Sequence, residues 1–177
     1  MTILSAHCNV IKYFIFLGVA MKNEAFQECY PDDLSHCYGC GVNNHEGHHL
    51  KSYWHGQQTI AHFTPESYHT AIPGFVYGGL IASLIDCHGT GSAAAMAFRN
   101  EDRAMDTLPA IRFVTGALNV NYLAPTPQGV ELELMGSFSE IKARKIIVDI
   151  VVSANGVVCA KGTVIAVKMP QSMAIKQ

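Results

Sequence analysis

Charge is what this chain has least of. Only 15% of its 177 residues are Asp, Glu, Lys or Arg, and the two signs nearly cancel, leaving a formal net charge of −2. So weak a field excludes a polyanion-binding surface, and an apolar share of 49% excludes a disordered chain. Repeats, heptads and low-complexity tracts are missing, which removes solenoids and coiled coils. There is no GxSxG elbow, P-loop or GxGxxG fingerprint, so the usual serine-hydrolase, NTPase and dinucleotide frameworks are absent as well. Cysteine is present at positions 8, 29, 37, 40, 87 and 159, too sparsely for a disulfide scaffold. Reduced thiols and a cytoplasmic location are the expectation.

The remaining length suits one domain with a single core. "VIKYFIFLGVAM" sets Lys12 before an apolar run ending in Gly18-Val19-Ala20, too short to span a bilayer. It reads as an extension ahead of an alternative start at Met21, where the composition turns polar, as a secretory h-region or anchor, or as a docked helix. We therefore divide the chain into an N-terminal extension (1–30), a domain (31–170) and a tail (171–177).

Within the domain, "PDDLSHCYGCGVNNHEGHH" is an irregular entry segment. "LKSYWHG" and "QTIAHFT" read as a hairpin turning at Gly56, with Tyr53 and Trp54 packing on the sheet. After a loop carrying Pro65 and Pro73, apolar residues at 80, 81, 84 and 85 predict one long helix from Gly78 to about Phe98. Gly89 and Gly91 inside it predict a close backbone approach. Four long β-rich segments follow. Two strands, a helix and four strands fit an α+β domain with an antiparallel sheet wrapped around a central helix.

That helix carries an acid, Asp86, in an apolar segment, a costly placement without a partner or a cleft. At its start stand Gly78 and Gly79, whose amides have no acceptor inside the helix and can hold an oxyanion with the help of the dipole. Eight residues at 1.5 Å separate Gly78 from Asp86 by about 12 Å along the axis, so the two reach one carbonyl only if they come from different copies of the chain. A turn at the glycines and a purely structural carboxylate are the alternatives. Cys37 and Cys40, near His36, His45, His48 and His49, offer metal-ligand types, but a single CxxC with irregular His spacing reads as a turn with buried thiols, and no metal is expected. Cys87 and His88, adjacent on a helix, point about 100° apart and make no dyad.

"AIPGFVYGGLIASLIDCHG", "VTGALNVNYLAPTPQG" and "EIKARKIIVDIVVS" together resemble the hotdog-fold acyl-CoA thioesterases, in particular the phenylacetyl-CoA-type and mitochondrial long-chain branch, over about Cys37 to Met169. The resemblance implies hydrolysis of an acyl-CoA to carboxylate and CoA by a homodimer or dimer of dimers with shared sites and no cofactor besides the CoA thioester substrate. It implies Asp86 as general base or nucleophile, the Gly78 N–H as oxyanion donor, and Thr115 as a hydroxyl supplied by the partner subunit. Tyr77 stands where the family often has His, and with Gly79 it is expected to touch substrate. Lys142, Arg144 and Lys145, at a hairpin tip, are expected near the CoA phosphates, Arg144 and Lys145 foremost. An acyl-CoA-binding protein without catalysis and a hotdog enoyl-CoA hydratase are the alternatives.

Overall fold

The computed structural model describes residues 24–173; the expectations for residues 1–20 and the last four residues of the tail lie outside the described residues. β1 (Ser52–His55) and β2 (Gln58–Phe63) form the expected hairpin, closing at Gly56 with φ +63°. The Pro-containing loop holds an element the sequence did not signal, a two-stranded ribbon of β3 (Thr70–Ile72) and β4 (Phe75–Val76) around Gly74. Strands this short carry too few residues to show alternation.

Helix α1 (Gly78–Asn100) begins at the predicted glycine and runs two residues past the predicted end. Its C-terminus is a Schellman motif. Arg103 N–H reaches the Phe98 carbonyl (3.0 Å), Asp102 N–H reaches that of Arg99 (3.1 Å), and Asp102 takes the left-handed conformation at φ +51°. Four long strands follow: β5 (Phe113–Tyr122), β6 (Leu132–Lys142), β7 (Lys145–Ala154) and β8 (Val157–Lys168). The antiparallel sheet has the order β1-β2-β6-β7-β8-β5, so β5 pairs with β8 and ends one edge.

The sheet wraps α1, and every side chain from Cys87 to Met96 is buried. Alternation on β7 is complete: Ile146, Val148, Ile150, Val152 and Ala154 face the helix and are buried. The helix glycines mark tight packing, as expected, but against side chains rather than backbone. A Cβ at Gly89 would lie 2.5 Å from Val164 Cγ2, and one at Gly91 would lie 3.0 Å from Gln27 Nε2. Val164 is fully buried and cannot swing away. Gly89→Ala is therefore expected to destabilise by about 1–3 kcal/mol despite alanine's better helix propensity, read as a lowered midpoint in urea unfolding. An unchanged midpoint would show that the sheet yields at this point.

The described part of the 1–30 segment belongs to the domain's packing. Ala25, Phe26 and Gln27 are buried, and Phe26 meets Trp54 edge-on at 5.5 Å. Trp54 also stacks under the Arg99 guanidinium, 3.2 Å from its ring centre. Gln27 opens a chain of buried polar contacts. Its Oε1 accepts from Ser52 N–H (2.8 Å) and its Nε2 donates to Ser52 Oγ (3.1 Å). Ser52 Oγ lies 2.9 Å from His88 Nδ1, His88 Nε2 lies 3.2 Å from Thr59 Oγ1, and Thr59 Oγ1 lies 2.7 Å from Ser92 Oγ. His88 thus points into the sheet, away from the acid two residues before it. Among the described residues no helix is long and apolar enough to cross a membrane.

Candidate active site

Asp86 projects half-buried from the middle of α1 toward the edge strand. Thr115 Oγ1 donates a short hydrogen bond to Asp86 Oδ1. This Thr115 belongs to the same chain as Asp86, whereas the resemblance implied a hydroxyl from the partner subunit: β5 lies against its own helix and turns Thr115 to that face. A β-bulge between Thr115 and Ala117 does the aiming. Thr115 opposes Ala166 and, one residue out of alternation, Leu118 opposes Val164, both buried on the helix side. The extra residue puts Thr115 and the following Leu118, Val120 and Tyr122 on one face.

Burial raises the Asp86 pKa above the ordinary aspartate value; the Thr115 hydrogen bond opposes that rise, and the negative charge of the Cys37 sulfur adds to it. With one oxygen fixed, the carboxylate has its other oxygen available to take a proton from water or to attack a carbonyl.

The second group of expected residues gathers at the start of α1. Tyr77 is the N-cap and makes no side-chain capping bond. Its carbonyl accepts from Leu80 N–H (3.1 Å) and Ile81 N–H (3.5 Å), while the amides of Gly78 and Gly79 have no backbone acceptor among the described residues. The Tyr77 ring folds over Gly79, where a Cβ would lie 2.4 Å from ring atoms, so the glycine is needed to seat the tyrosine. Tyr122, which sequence reasoning missed, donates from its hydroxyl to the Gly78 carbonyl (2.8 Å) and fixes that peptide. Tyr77 and Tyr122 remain more than half exposed. Beside them Ile72, Phe75, Val76, Leu123 and Pro125 line a shallow apolar depression.

Asp86 with Thr115, and Gly78 with Tyr77, Gly79 and Tyr122, are thus two half-sites of one chain, eight residues of helix apart. Arg144 and Lys145 lie elsewhere, at the β6–β7 hairpin. Lys145 Nζ is held by Glu140 (2.9 Å), as is Lys142 Nζ (2.7 Å). The Arg144 side chain makes no hydrogen bond or ion pair among the described residues, and the residue lines a surface depression with Lys168, Met169 and Pro170.

A third cluster is formed by Cys37, Cys40 and Cys87, whose sulfurs all lie within 4.8 Å of one another. The reading of Cys37 and Cys40 as a turn with buried thiols lacked this third member, which arrives from 50 residues away with its Sγ 3.7 Å from that of Cys37. Thiol hydrogen bonds from Cys40 and Cys87 push the Cys37 pKa far down; their donor roles push Cys40 up to about 11 and raise Cys87. The histidines of the entry segment stay outside. His48 packs edge-on against Tyr38, Phe63 and His69.

Comparison with known proteins gives the arrangement a lineage. No curated protein matches the sequence. A thioesterase superfamily protein from Shewanella loihica PV-4 is 57% identical, over 78% of this chain and 98% of that one, with a TM-score of 0.61. A Streptococcus mutans UA159 protein solved with acetyl CoA (19% identity, 68% and 88% coverage, TM-score 0.53) shares the fold. So does a Streptococcus pneumoniae TIGR4 protein described as a hypothetical thioesterase and solved with coenzyme A (14% identity, 66% and 84% coverage, TM-score 0.54). The thioesterase superfamily model matches residues 73–161, from the turn before α1 into β8, a span that includes both half-sites. With a helix wrapped by its own sheet, a match across half its length and a relative more than half identical, the chain belongs to the thioesterase superfamily and has the hotdog fold.

Proposed function

We propose that the protein hydrolyses acyl-CoA thioesters as a homodimer, or a dimer of dimers, with two half-sites meeting across each subunit interface. The observation that carries this reading is the hydrogen bond from Thr115 on β5 to Asp86 on α1, about two helical turns from unpartnered amides that suit an oxyanion. Two copies with antiparallel helices would bring the Gly78 N–H of one to the carbonyl that Asp86 of the other serves. Asp86 activates water or attacks the thioester directly; either route ends in a carboxylate and free CoA. The apolar depression beside Tyr122 suits an acyl group, and the ligands of the two streptococcal structures support a CoA thioester as its carrier. The free guanidinium of Arg144 fits a CoA phosphate better than Lys142 or Lys145, which are shared with Glu140. Tyr77 stands beside the oxyanion donors and borders the substrate.

A hydratase reading needs a His paired with an acid, and His88 is committed to Ser52 and Thr59. The test is release of free CoA from a panel of short, long and aromatic acyl-CoAs. Turnover of at least one of them that depends on Asp86 is expected; tight binding of acyl-CoA with no turnover would leave a binding protein instead. Thr115→Val is expected to lower kcat about tenfold with little change in KM, since it frees a carboxylate from a charge-assisted hydrogen bond without touching the acyl depression. A rise in KM alone would place Thr115 in substrate binding.

A further inference from the structure

We propose that Cys37, Cys40 and Cys87 bind a zinc ion through three thiolates, with water completing a tetrahedron, and that this ion clamps the entry loop to the central helix. Zinc–sulfur bonds of about 2.3 Å arranged tetrahedrally place neighbouring sulfurs about 3.8 Å apart. The Cys37–Cys87 separation is 3.7 Å, already that edge, and all three sulfurs lie within 4.8 Å.

The loop is bent to reach this geometry. A Cβ at Gly39 would sit 2.3 Å from Cys87 Sγ, and one at Gly41 would sit 2.4 Å from the Cys37 nitrogen, so only glycines let Cys-Tyr-Gly-Cys-Gly fold so closely on the helix. Gly41 N–H closes the turn on the Cys37 carbonyl at 2.7 Å. Cys40 and Cys87 are 3% and 5% exposed, while Cys37 is half-buried, leaving the fourth position open on the Cys37 side. Three thiolates on a divalent ion leave one negative charge in excess. Arg112, stacked over Tyr30 and adjacent to Cys40, supplies a cation there, with its Nη1 buried and unpartnered. On binding, each thiol that still carries a proton releases it to solvent, and the sulfur lone pair goes to the metal.

The test is metal content of protein expressed with added zinc, purified without nickel resin under reducing conditions, together with cobalt(II) titration of the chelated protein. Stoichiometric zinc and a thiolate-to-cobalt absorption band are expected in the wild type and in Cys159→Ser, and both should be lost in Cys37→Ser and Cys87→Ser. The cobalt titration of the wild type keeps the question decidable if a variant fails to fold. Metal-free wild type with no cobalt–thiolate band, a Cys37–Cys87 disulfide in its place, or zinc retained by the two serine variants would each overturn the proposal. None of these readouts depends on thioester hydrolysis.

Discussion

Asp86→Asn should lower kcat for thioester hydrolysis by about 10²-fold or more, a loss of at least about 2.7 kcal/mol of transition-state stabilisation, while the fold persists. The amide is isosteric, and its oxygen can still accept the Thr115 hydrogen bond, so packing around the site should survive. What disappears is the capacity to accept a proton or form an acyl anhydride. KM should move little, because the apolar depression and the amides at the start of α1 stay in place. Free CoA release under saturating substrate, with circular dichroism as the control for folding, measures this directly. Equal rates in the two proteins would make Asp86 structural and remove the basis of the proposed chemistry.

His88→Ala should cost about 3–5 kcal/mol of folding stability at neutral pH. The substitution opens a cavity beneath the sheet and takes the partner from Ser52 Oγ and Thr59 Oγ1, both on fully buried residues. The penalty should also depend on pH in a direction fixed by the histidine. Burial lowers the His88 pKa from 6.5 to about 4, with a hydrogen bond to the Thr59 backbone opposing the fall. Between those two values the unfolded chain takes up a proton that the folded chain refuses. The His88 contribution is therefore complete above about pH 6.5 and shrinks as the pH falls toward 4, by about 3 kcal/mol in all. Urea midpoints of wild type and variant should accordingly converge on acidification. A gap that stays constant from pH 7 to pH 4 would mean that His88 takes up its proton as readily in the folded protein as in the unfolded chain, and contributes only by its packing and hydrogen bonds.

The long elements were legible because each repeats its pattern enough times to be read. β7 alternates over ten residues, and the apolar helix could only be central. Asp86 stood out because an acid in such a segment is costly. The ribbon of β3 and β4 was too short to show a period, and the capture of both hairpin lysines by Glu140 depends on rotamers rather than spacing. The partnership of Cys87 with Cys37 and Cys40 was hidden for another reason: 50 residues separate them, and only the wrapping of the entry loop on α1 joins them. The resemblance implied a partner-subunit hydroxyl at Thr115, and the bulge that sets Thr115 beside Asp86 of its own chain left no mark in the sequence. Strict alternation cannot put residues 115 and 118 on one face, and one unpaired residue does.

The side chain of Gln27 sets a physical limit on how far the chain can be trimmed from its front. A version beginning after this residue would forfeit both bonds to Ser52 and withdraw the amide that Gly91 leaves room for, so the helix would lose a neighbour there. The folded unit therefore reaches forward at least as far as Gln27, well ahead of the first residue of the sheet.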